Sequence, residues 1–174
     1  MKEKTVRETS VTMAQVMLPQ DANPAGNVHG GVIMKLIDTA AAVVAGRHAR
    51  SNTVTASIDR LDFHCPVFVG DLLFLKASMN QAGKTSMELG VRVEAENLVS
   101  GVVRHTASAY LTFVALDKDG KPKPVPVLVL ETADEVRRNA EALMRRKMRL
   151  ELRAAQQGSP PPPSDCPLPP AASR

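Results

Sequence analysis

A single carboxylate in the middle of a long apolar segment is the residue that most strongly suggests chemistry in this sequence. Between Gly31 and Gly46 the only charged residues are Lys35 and Asp38. The surrounding apolar residues recur at helical spacing on two adjacent rows, which predicts a helix buried on nearly all sides. A buried carboxylate costs several kcal/mol unless it is hydrogen-bonded or lines a cleft, and burial raises its pKa. Asp38 is therefore our candidate general base, which would take a proton from an attacking water.

Two other interpretations of Asp38 remain open from the sequence. The carboxylate could attack a substrate carbonyl directly and form an anhydride, which would make it a nucleophile. It could also lie on the helix surface and pair with Lys35 three residues earlier, which contributes only tenths of a kcal/mol. No other charge occurs between Thr39 and Ala45, and this favours a functional carboxylate.

The loop before this helix, residues 21–29, supplies the other candidate groups. Asn23 stands before Pro24, where an asparagine side chain commonly bonds to its own backbone in a turn. Gly30 and Gly31 open the helix, so their N–H groups lack intrahelical partners and lie at the positive end of the helix dipole. Such donors stabilise a developing oxyanion by a few kcal/mol each in mutant comparisons. The alternative is an ordinary glycine-rich turn.

The elements that must position these residues follow from the hydrophobic periodicity. Apolar and polar alternation predicts strands, and the 3.6-residue period predicts helices. The predicted strands are Ser10–Leu18, Thr53–Phe63, Leu72–Asn80, Thr85–Glu96 and Val102–Leu116. The predicted helices are the central one that contains Asp38 and a charged one at Thr132–Gln156. Prolines at 122, 124 and 126 close the domain, because a proline cannot donate within a central strand.

The order of these elements predicts an α+β architecture. One helix cannot cover both faces of five strands, and the sheet has edges to hide. A long central helix wrapped by a five-stranded antiparallel sheet, with a partner subunit covering the rest, meets both needs and is the hotdog fold. We divide the chain into a lead (1–9), the hotdog domain (10–130), a basic C-terminal helix (131–157) and a Pro-rich tail (158–174). The tail has little to bury and is expected to be disordered.

Composition narrows the class of protein. The 174 residues include no Trp and one Tyr, so the core must be built from aliphatic residues, Met and Ala. No segment is long and apolar enough to span a membrane, and the N-terminus lacks an apolar signal core, so we expect a cytoplasmic protein. Cys65 and Cys166 show neither metal-ligand spacing nor a disulfide pattern. No phosphate-binding loop of the Walker or Rossmann kind is present.

A basic patch is the least expected feature of the composition. Residues 137–153 contain seven basic side chains and two acidic ones. Such a patch could bind the phosphates of a small ligand, an RNA or a membrane surface, or simply form a solvated helix face. The few aromatic residues lie in predicted strands, which argues against base stacking, so a nucleic-acid partner is not expected.

Four segments resemble the hotdog-fold acyl-CoA thioesterases, particularly the cytosolic (brain-type) acyl-CoA hydrolases in their single-domain bacterial form. They are Asp21–Gly31, Lys35–Asp38, Asp62–Asp71 and Gly83–Leu89. The resemblance covers residues 10–130, and the basic helix also resembles the segment that follows the domain in the brain-type enzymes. It implies hydrolysis of acyl-CoA to free fatty acid and CoA without a metal or redox cofactor. It also implies a homo-oligomer, a dimer at minimum and a hexameric trimer of dimers in the bacterial form.

The resemblance further implies roles for individual residues. Asn23 of one protomer would face Asp38 of the other and hold the water or the substrate, while Gly30 and Gly31 would polarise the thioester carbonyl. Coenzyme A carries a pyrophosphate and a 3′-phosphate, which bind cationic side chains and backbone donors. The residues expected to contact substrate or CoA are Asn27, His29, Arg60, Lys84, Thr85 and Ser86, with Arg92 as a looser candidate.

Two further functions stay open as alternatives. A hotdog hydratase or dehydratase would need a histidine near the helical acid, and the next histidine after Asp38 is His48. A non-catalytic acyl-CoA-binding or RNA-binding hotdog protein would use the basic patch. His48, His64 and His105 are expected to be structural. The preferred acyl chain length depends on the depth of a tunnel between protomers, which Met34 could alter.

Overall fold

The structure is a computed structural model that describes residues 3–156. The five predicted strands and both predicted helices are present, with ends shifted by at most three residues. In chain order the elements are β1 (Glu3–Thr5), α1 (Val6–Thr9), β2 (Val11–Val16), α2 (Gly30–Ala49), β3 (Asn52–Phe63), β4 (Asp71–Ala82), β5 (Ser86–Asn97), β6 (Val103–Leu116), β7 (Val127–Val129) and α3 (Ala133–Gln156).

Five strands form one antiparallel sheet in the order β2-β4-β5-β6-β3. Strand β5 shows why these residues form strands, because Met87, Leu89, Val91 and Val93 are buried on one face at every second position. The outermost strands are the short β2 and the 12-residue β3. Strand β3 has no second neighbour among the described residues.

Helix α2 lies on the inner face of the sheet and contacts all five strands, so the sheet wraps around it as predicted. The buried side of α2 consists of aliphatic and alanine residues: Ile33, Leu36, Ile37, Ala40, Ala41, Val44 and Ala45. The expectation of burial on nearly all sides is wrong for the single chain. Five strands cover only one side of a helix. Met34 and Val43, on opposite flanks of α2, are 40% and 39% exposed, and Lys35 and Thr39 between those flanks are exposed as well.

The C-terminal end of α2 lies just beyond Gly46, Arg47 and His48, a glycine and two basic residues of the kind that favour a helix end. The helix continues to Ala49, and Arg50 adopts a left-handed conformation (φ 49°) while its N–H donates to the Gly46 carbonyl at 2.9 Å. His48 in this last turn is fully buried, with Nε2 2.9 Å from the Pro126 carbonyl oxygen. Burial lowers the pKa of the His48 imidazole, and the Pro126 carbonyl opposes that effect.

Residues 3–9 of the N-terminal lead form two short elements that pack on the rest of the chain. Strand β1 pairs in parallel with β7, after the prolines, in a separate two-stranded sheet. Thr5 and Glu8 form a capping box at the start of α1, where Val6 and Thr9 are buried. Three-residue strands carry too little periodicity to be recognised in a sequence, which explains why β1 and β7 were not predicted.

Helix α3 lies across the outer face of the sheet. Asn139 donates from Nδ2 to the Asn80 carbonyl at 2.8 Å, and Arg145 contacts Glu88, which alternates with the inward-facing residues of β5. The predicted Pro-rich tail at 158–174, including Cys166, lies outside the described residues. No helix within residues 3–156 has the length and apolar character needed to cross a membrane.

Candidate active site

The Asp38 carboxylate is held by a hydroxyl group from the sheet. Thr55 on β3 donates from Oγ1 to Asp38 Oδ1 on α2 at 2.6 Å, the short range of charge-assisted hydrogen bonds. Asp38 is half-buried and borders the side of α2 that the sheet leaves uncovered. Among residues 3–156 its other oxygen has no hydrogen-bond partner, and no ion pair joins it to Lys35. One carboxylate oxygen is thus fixed in place and the other is available to a substrate or a water.

Thr55 is a candidate site residue that the sequence analysis did not identify. It is one of several polar residues that alternate with Val54, Ala56 and Ile58 along the predicted strand. Nothing local distinguishes it from its neighbours. Only the packing of α2 against β3 brings its hydroxyl to Asp38.

Asn23 organises its own loop. Its Oδ1 accepts hydrogen bonds from the Ala25 N–H at 2.9 Å and the Asn27 N–H at 3.3 Å, and its backbone N–H donates to the Asn27 carbonyl at 2.7 Å. This is the turn-capping geometry expected of Asn before Pro. The Asn23 Nδ2 group has no hydrogen-bond partner within residues 3–156, so it remains available as a donor.

The two helix-opening glycines are not equivalent. His29 is the N-cap of α2, and its Nδ1 accepts a hydrogen bond from the Gly31 N–H at 2.9 Å. The Gly31 N–H is therefore already engaged, which corrects the expectation that both donors are free. The Gly30 N–H has no hydrogen-bond partner in the described part of the chain and remains available as a donor. The contact with Gly31 fixes the His29 side chain at the first turn of α2.

A pocket of about 390 Å³ lies at the N-terminal end of α2. It brings together three predicted site residues, Asn23, Asn27 and Gly30, beside Phe63. Asp38 does not line this pocket, because eight residues of helix place it about 12 Å further along the axis from Gly30.

The hairpin that contains Lys84, Thr85 and Ser86 lies far from this pocket in the same chain. The distance between them can be estimated along strand β6. Phe63 of the pocket pairs with Ala107 of this strand, whereas Ser86 of the hairpin pairs with Val114. Seven residues of strand correspond to about 23 Å. The structure therefore does not bring the 84–86 hairpin to the pocket lined by Asn23.

Each chain consequently presents two separate half-sites. The first half-site comprises Asn23, Asn27, His29 and Gly30 at the start of α2. The second half-site comprises Asp38, Thr55 and the 84–86 hairpin. Thr55 lies close to this hairpin because both Thr55 and Met87, the residue after Ser86, pair with Phe113 of β6. This division is the one expected if a complete site needs two protomers.

Arg60 and Arg92 join neither half-site. Arg60 is largely exposed, pairs with Asp62 at 2.5 Å and lines a separate pocket of about 610 Å³ between β3 and α3. Arg92 and Lys76 donate to Glu94 at 2.7 and 2.6 Å, and these hydrogen bonds lower the pKa of the Glu94 carboxyl. Both arginines are engaged with carboxylates on the chain itself.

The basic residues of α3 are largely paired as well. Arg145 donates to Glu88 at 2.7 Å and lies over the Tyr110 ring at 3.8 Å, and Arg149 donates to Asp59. Arg137, Arg138 and Lys147 pair with acidic residues of α3 itself. Interpreting the patch as a solvated face is therefore wrong for Arg145 and Arg149, which are turned inward. Within residues 3–156, no group of three or more His, Cys, Asp or Glu side chains could hold a metal ion.

Comparisons with known proteins agree on one family. The model of the thioesterase superfamily matches residues 25–102. A Bacillus subtilis protein named as an uncharacterised acyl-CoA thioester hydrolase is 40% identical over 139 residues, 80% of this chain and 81% of the relative. The mouse cytosolic acyl coenzyme A thioester hydrolase is 39% identical over 156 residues, 88% of this chain. The chain spans only about 40% of the length of that mouse protein.

Solved structures resemble the whole described fold. A hexameric acyl-CoA thioesterase, solved in its apo form, superposes with a TM-score of 0.85 at 39% identity over 88% of this chain and 99% of that chain. The acyl-CoA hydrolase of Staphylococcus aureus, solved with butyryl coenzyme A and coenzyme A, superposes with a TM-score of 0.83 at 35% identity over 90% and 96%.

Three alanine variants of the Staphylococcus aureus enzyme also match this chain, at 34% identity. They replace an asparagine, an aspartate and a threonine, separated in that order by 15 and 17 residues. Asn23, Asp38 and Thr55 have the same two separations here.

Proposed function

The chain belongs to the thioesterase superfamily, and on that basis we propose that it is an enzyme that hydrolyses acyl-CoA thioesters to free fatty acid and coenzyme A. The observation that carries the proposal is the Asp38 carboxylate, fixed by Thr55 on the side of α2 that the sheet leaves uncovered. The names of the bacterial and mouse relatives and the coenzyme A bound to the Staphylococcus aureus enzyme support the substrate class.

In the proposed reaction Asp38 is the general base. Its carboxylate takes a proton from a water while the water oxygen attacks the thioester carbonyl carbon. The Gly30 N–H, at the positive end of the α2 dipole, stabilises the oxyanion of the tetrahedral intermediate. The carbon–sulfur bond then breaks, and the coenzyme A thiolate leaves with the proton that Asp38 had taken from the water, which restores the carboxylate. Water, a base and an oxyanion donor suffice for this chemistry, so we propose no resident metal or redox cofactor.

The complete site is proposed to form between two protomers. Asn23 and Asp38 occupy different half-sites of one chain, so Asn23 of one subunit would hold the water or substrate opposite Asp38 of the next. Met34 and Val43, exposed apolar residues on the two flanks of the uncovered side of α2, support a contact with a second subunit. The hexameric relative supports a further assembly of such dimers into a trimer of dimers. The 84–86 hairpin belongs to the same half-site as Asp38. It would bind the nucleotide end of CoA through Lys84, Thr85 and Ser86.

The alternatives find less support in the observed contacts. A hydratase would need a histidine beside Asp38, and the group bonded to it is the Thr55 hydroxyl. An RNA-binding role for α3 is disfavoured because Arg145 and Arg149 are turned toward the sheet. Because the mouse relative is named as cytosolic, we propose the cytosol as the compartment of this chain as well.

Hydrolysis of a series of acyl-CoAs from two to eighteen carbons tests the proposal and defines the chain-length preference. Asp38→Asn should lower kcat by about 10²–10⁴-fold, the usual contribution of general base catalysis. Lys35→Gln, on the same uncovered side of α2, is the matched control and should keep its activity. Undiminished hydrolysis by Asp38→Asn would remove Asp38 as the base, and no wild-type activity on any acyl-CoA would favour a binding protein.

Mixed oligomers test whether the site crosses the subunit interface. Asp38→Asn and Asn23→Asp subunits, each inactive alone, are co-expressed with different affinity tags and purified as hybrids. Asn23→Asp keeps the loop-capping oxygen but removes the amide donor. Each hybrid dimer would then contain one site with both native residues, so activity should return. Hybrids that stay as inactive as the parents would show that both residues serve a site within one chain.

A further inference from the structure

Strand β3, which carries Thr55, is irregular at two places. Its register with β6 shifts between Thr55 and Ser57 and again between Ile58 and Arg60. Ala56 and Asp59 are the extra residues, left out of the ladder at these bulges. Bulges bend a strand and change the direction of its side chains, and they are frequent next to active sites.

The two bulges change which face of the sheet the side chains of β3 occupy. In a regular strand, residues four positions apart lie on the same face. Thr55 and Asp59 instead contact helices on opposite faces, because Thr55 donates to Asp38 of α2 and Asp59 accepts from Arg149 of α3. The irregular segment therefore sets the phase of the Thr55 side chain relative to that of Asp59.

The Asp59 carboxylate holds this irregular segment in place. Its Oδ1 accepts from Ser57 Oγ at 3.0 Å, and its Oδ2 accepts from Thr112 Oγ1 of β6 at 3.2 Å and from Arg149 of α3. The Asp59 and Arg149 side chains are only 13% and 18% exposed. Three donors from three elements thus converge on the carboxylate at the second bulge.

We infer that Arg149 and Asp59 are positioning residues, which hold the bulged segment of β3 so that Thr55 is directed at Asp38. This assigns α3 a part in catalysis although it lies on the far side of the sheet from Asp38. The inference rests on the proposed hydrolase function. It predicts that breaking the Arg149–Asp59 pair slows the chemical step rather than substrate binding.

A second ion pair of α3 provides a matched control. Arg145 and Glu88 also join α3 to the sheet, and Arg145 is 18% exposed, the same as Arg149. Glu88 lies on β5, however, whose ladder with β6 is regular from Ser86 to Val93. Arg145→Met should therefore loosen the same helix without altering the direction of Thr55.

The experiment compares acyl-CoA hydrolysis by Arg149→Met, Arg145→Met, Thr55→Val and the double variant Thr55→Val/Arg149→Met, all assayed well below their melting temperatures. Arg149→Met should lower kcat about 10–100-fold with little change in KM, as expected for a misplaced catalytic group. Arg145→Met should keep kcat within about twofold of the wild-type value, because it leaves the Thr55 hydroxyl in place. This should hold even if its melting temperature is as low as that of Arg149→Met. If Arg149 acts through Thr55, the double variant should be no slower than Thr55→Val alone.

Asp59→Asn provides a second measurement in case Arg149→Met does not fold. It keeps one carbonyl acceptor and replaces the other oxygen with an amide group that can donate to a Ser57 or Thr112 hydroxyl. It loses the charge that attracts Arg149, so kcat should again fall with KM little changed. Equal kcat values in Arg149→Met and Arg145→Met, multiplicative effects in the double variant, or full activity in Asp59→Asn would each overturn the inference. If wild type does not hydrolyse acyl-CoA, or Asp38→Asn remains active, the proposed function itself fails.

Discussion

Helices α2 and α3 lie against opposite faces of one sheet and are held there by different interactions. Helix α2 buries Ile37, Ala40 and Val44 almost completely among aliphatic residues. On α3, Met144 and Leu152 are more than 60% exposed, and two arginine–carboxylate pairs contribute to the contact beside the Asn139–Asn80 hydrogen bond and the small buried Ala142. Apolar burial is strong but non-directional, whereas hydrogen-bonded ion pairs demand a specific geometry. We infer that packing against α2 contributes most of the stability of the sheet, and that contacts with α3 instead determine which side chains of the edge strand β3 face α2.

The largest change in stability is expected for a substitution that distinguishes the contact of α2 with the sheet from the contact of α3. Ile37→Ala on α2 should lower the free energy of unfolding by about 2–5 kcal/mol, since it leaves a cavity in a packed core. Leu150→Ala on α3, where the side chain is 55% exposed, is the matched control and should change it by less than about 0.5 kcal/mol. Urea unfolding monitored by circular dichroism measures both. Equal losses would show that the two helices are held alike.

Removing one partner of the Arg145–Glu88 pair should lower the free energy of unfolding more than removing both partners. Arg145→Met leaves the Glu88 carboxylate buried without its cation and should cost about 2–3 kcal/mol, less than for a fully buried pair because Arg145 is partly exposed. Glu88→Leu/Arg145→Met should recover most of that loss, since apolar residues can replace a buried pair. The same urea titration gives both values. A double variant no more stable than the single one would mean that the pair contributes substantial net stability.

The pH dependence of stability tests whether His48, on the buried side of α2, must remain uncharged in the folded protein. Burial lowers the pKa of His48 below its ordinary value of 6.5, so the unfolded chain takes up this proton first as the pH falls. Stability should be level above about pH 6.5 and decline below it, by at most about 1.4 kcal/mol per pH unit. His48→Gln, which cannot charge, should flatten the profile between pH 5 and 7. Glu94 cannot account for this slope, because its pKa is lowered from 4.5.

The smallest change is expected for an exposed ion pair of α3. Lys147 and Glu151 lie 3.9 Å apart with side chains 79% and 63% exposed. Lys147→Ala should alter the free energy of unfolding by less than about 0.5 kcal/mol, since solvent and salt screen such pairs. A loss comparable to that of Arg145→Met would contradict the distinction between the inward-facing and outward-facing cations of α3.

Local periodicity was sufficient to predict most of the elements. The alternation of Met87, Leu89, Val91 and Val93 predicted β5 to within a residue at each end, because burial on one face imposes a period of two. It was insufficient for β1, whose three residues pair with a segment more than a hundred positions later. The inward-facing arginines of α3 were also missed, because their carboxylate partners lie 57 and 90 residues earlier in the sequence.

The candidate site was predictable only in part. Asp38 stood out because a charge in an apolar helix is rare, and Asn23 because of the resemblance to the thioesterases, whereas Thr55 resembles any polar residue of an alternating strand. The engagement of Gly31 with His29 was equally hidden, since a helix N-terminus shows its donors but not which side chain caps them.

The sequence by itself determined most of the helices and strands and the position of one acid within an apolar helix, because periodicity and charge are local properties. Only the tertiary structure decided which hydroxyl meets that acid and which cation of α3 faces β3. A strand alternates its side chains with a period of two, so a bulge reverses the phase between the residues before it and those after it. Which residues of β3 face α2 therefore depends on contacts that form only after the sheet and both helices have come together.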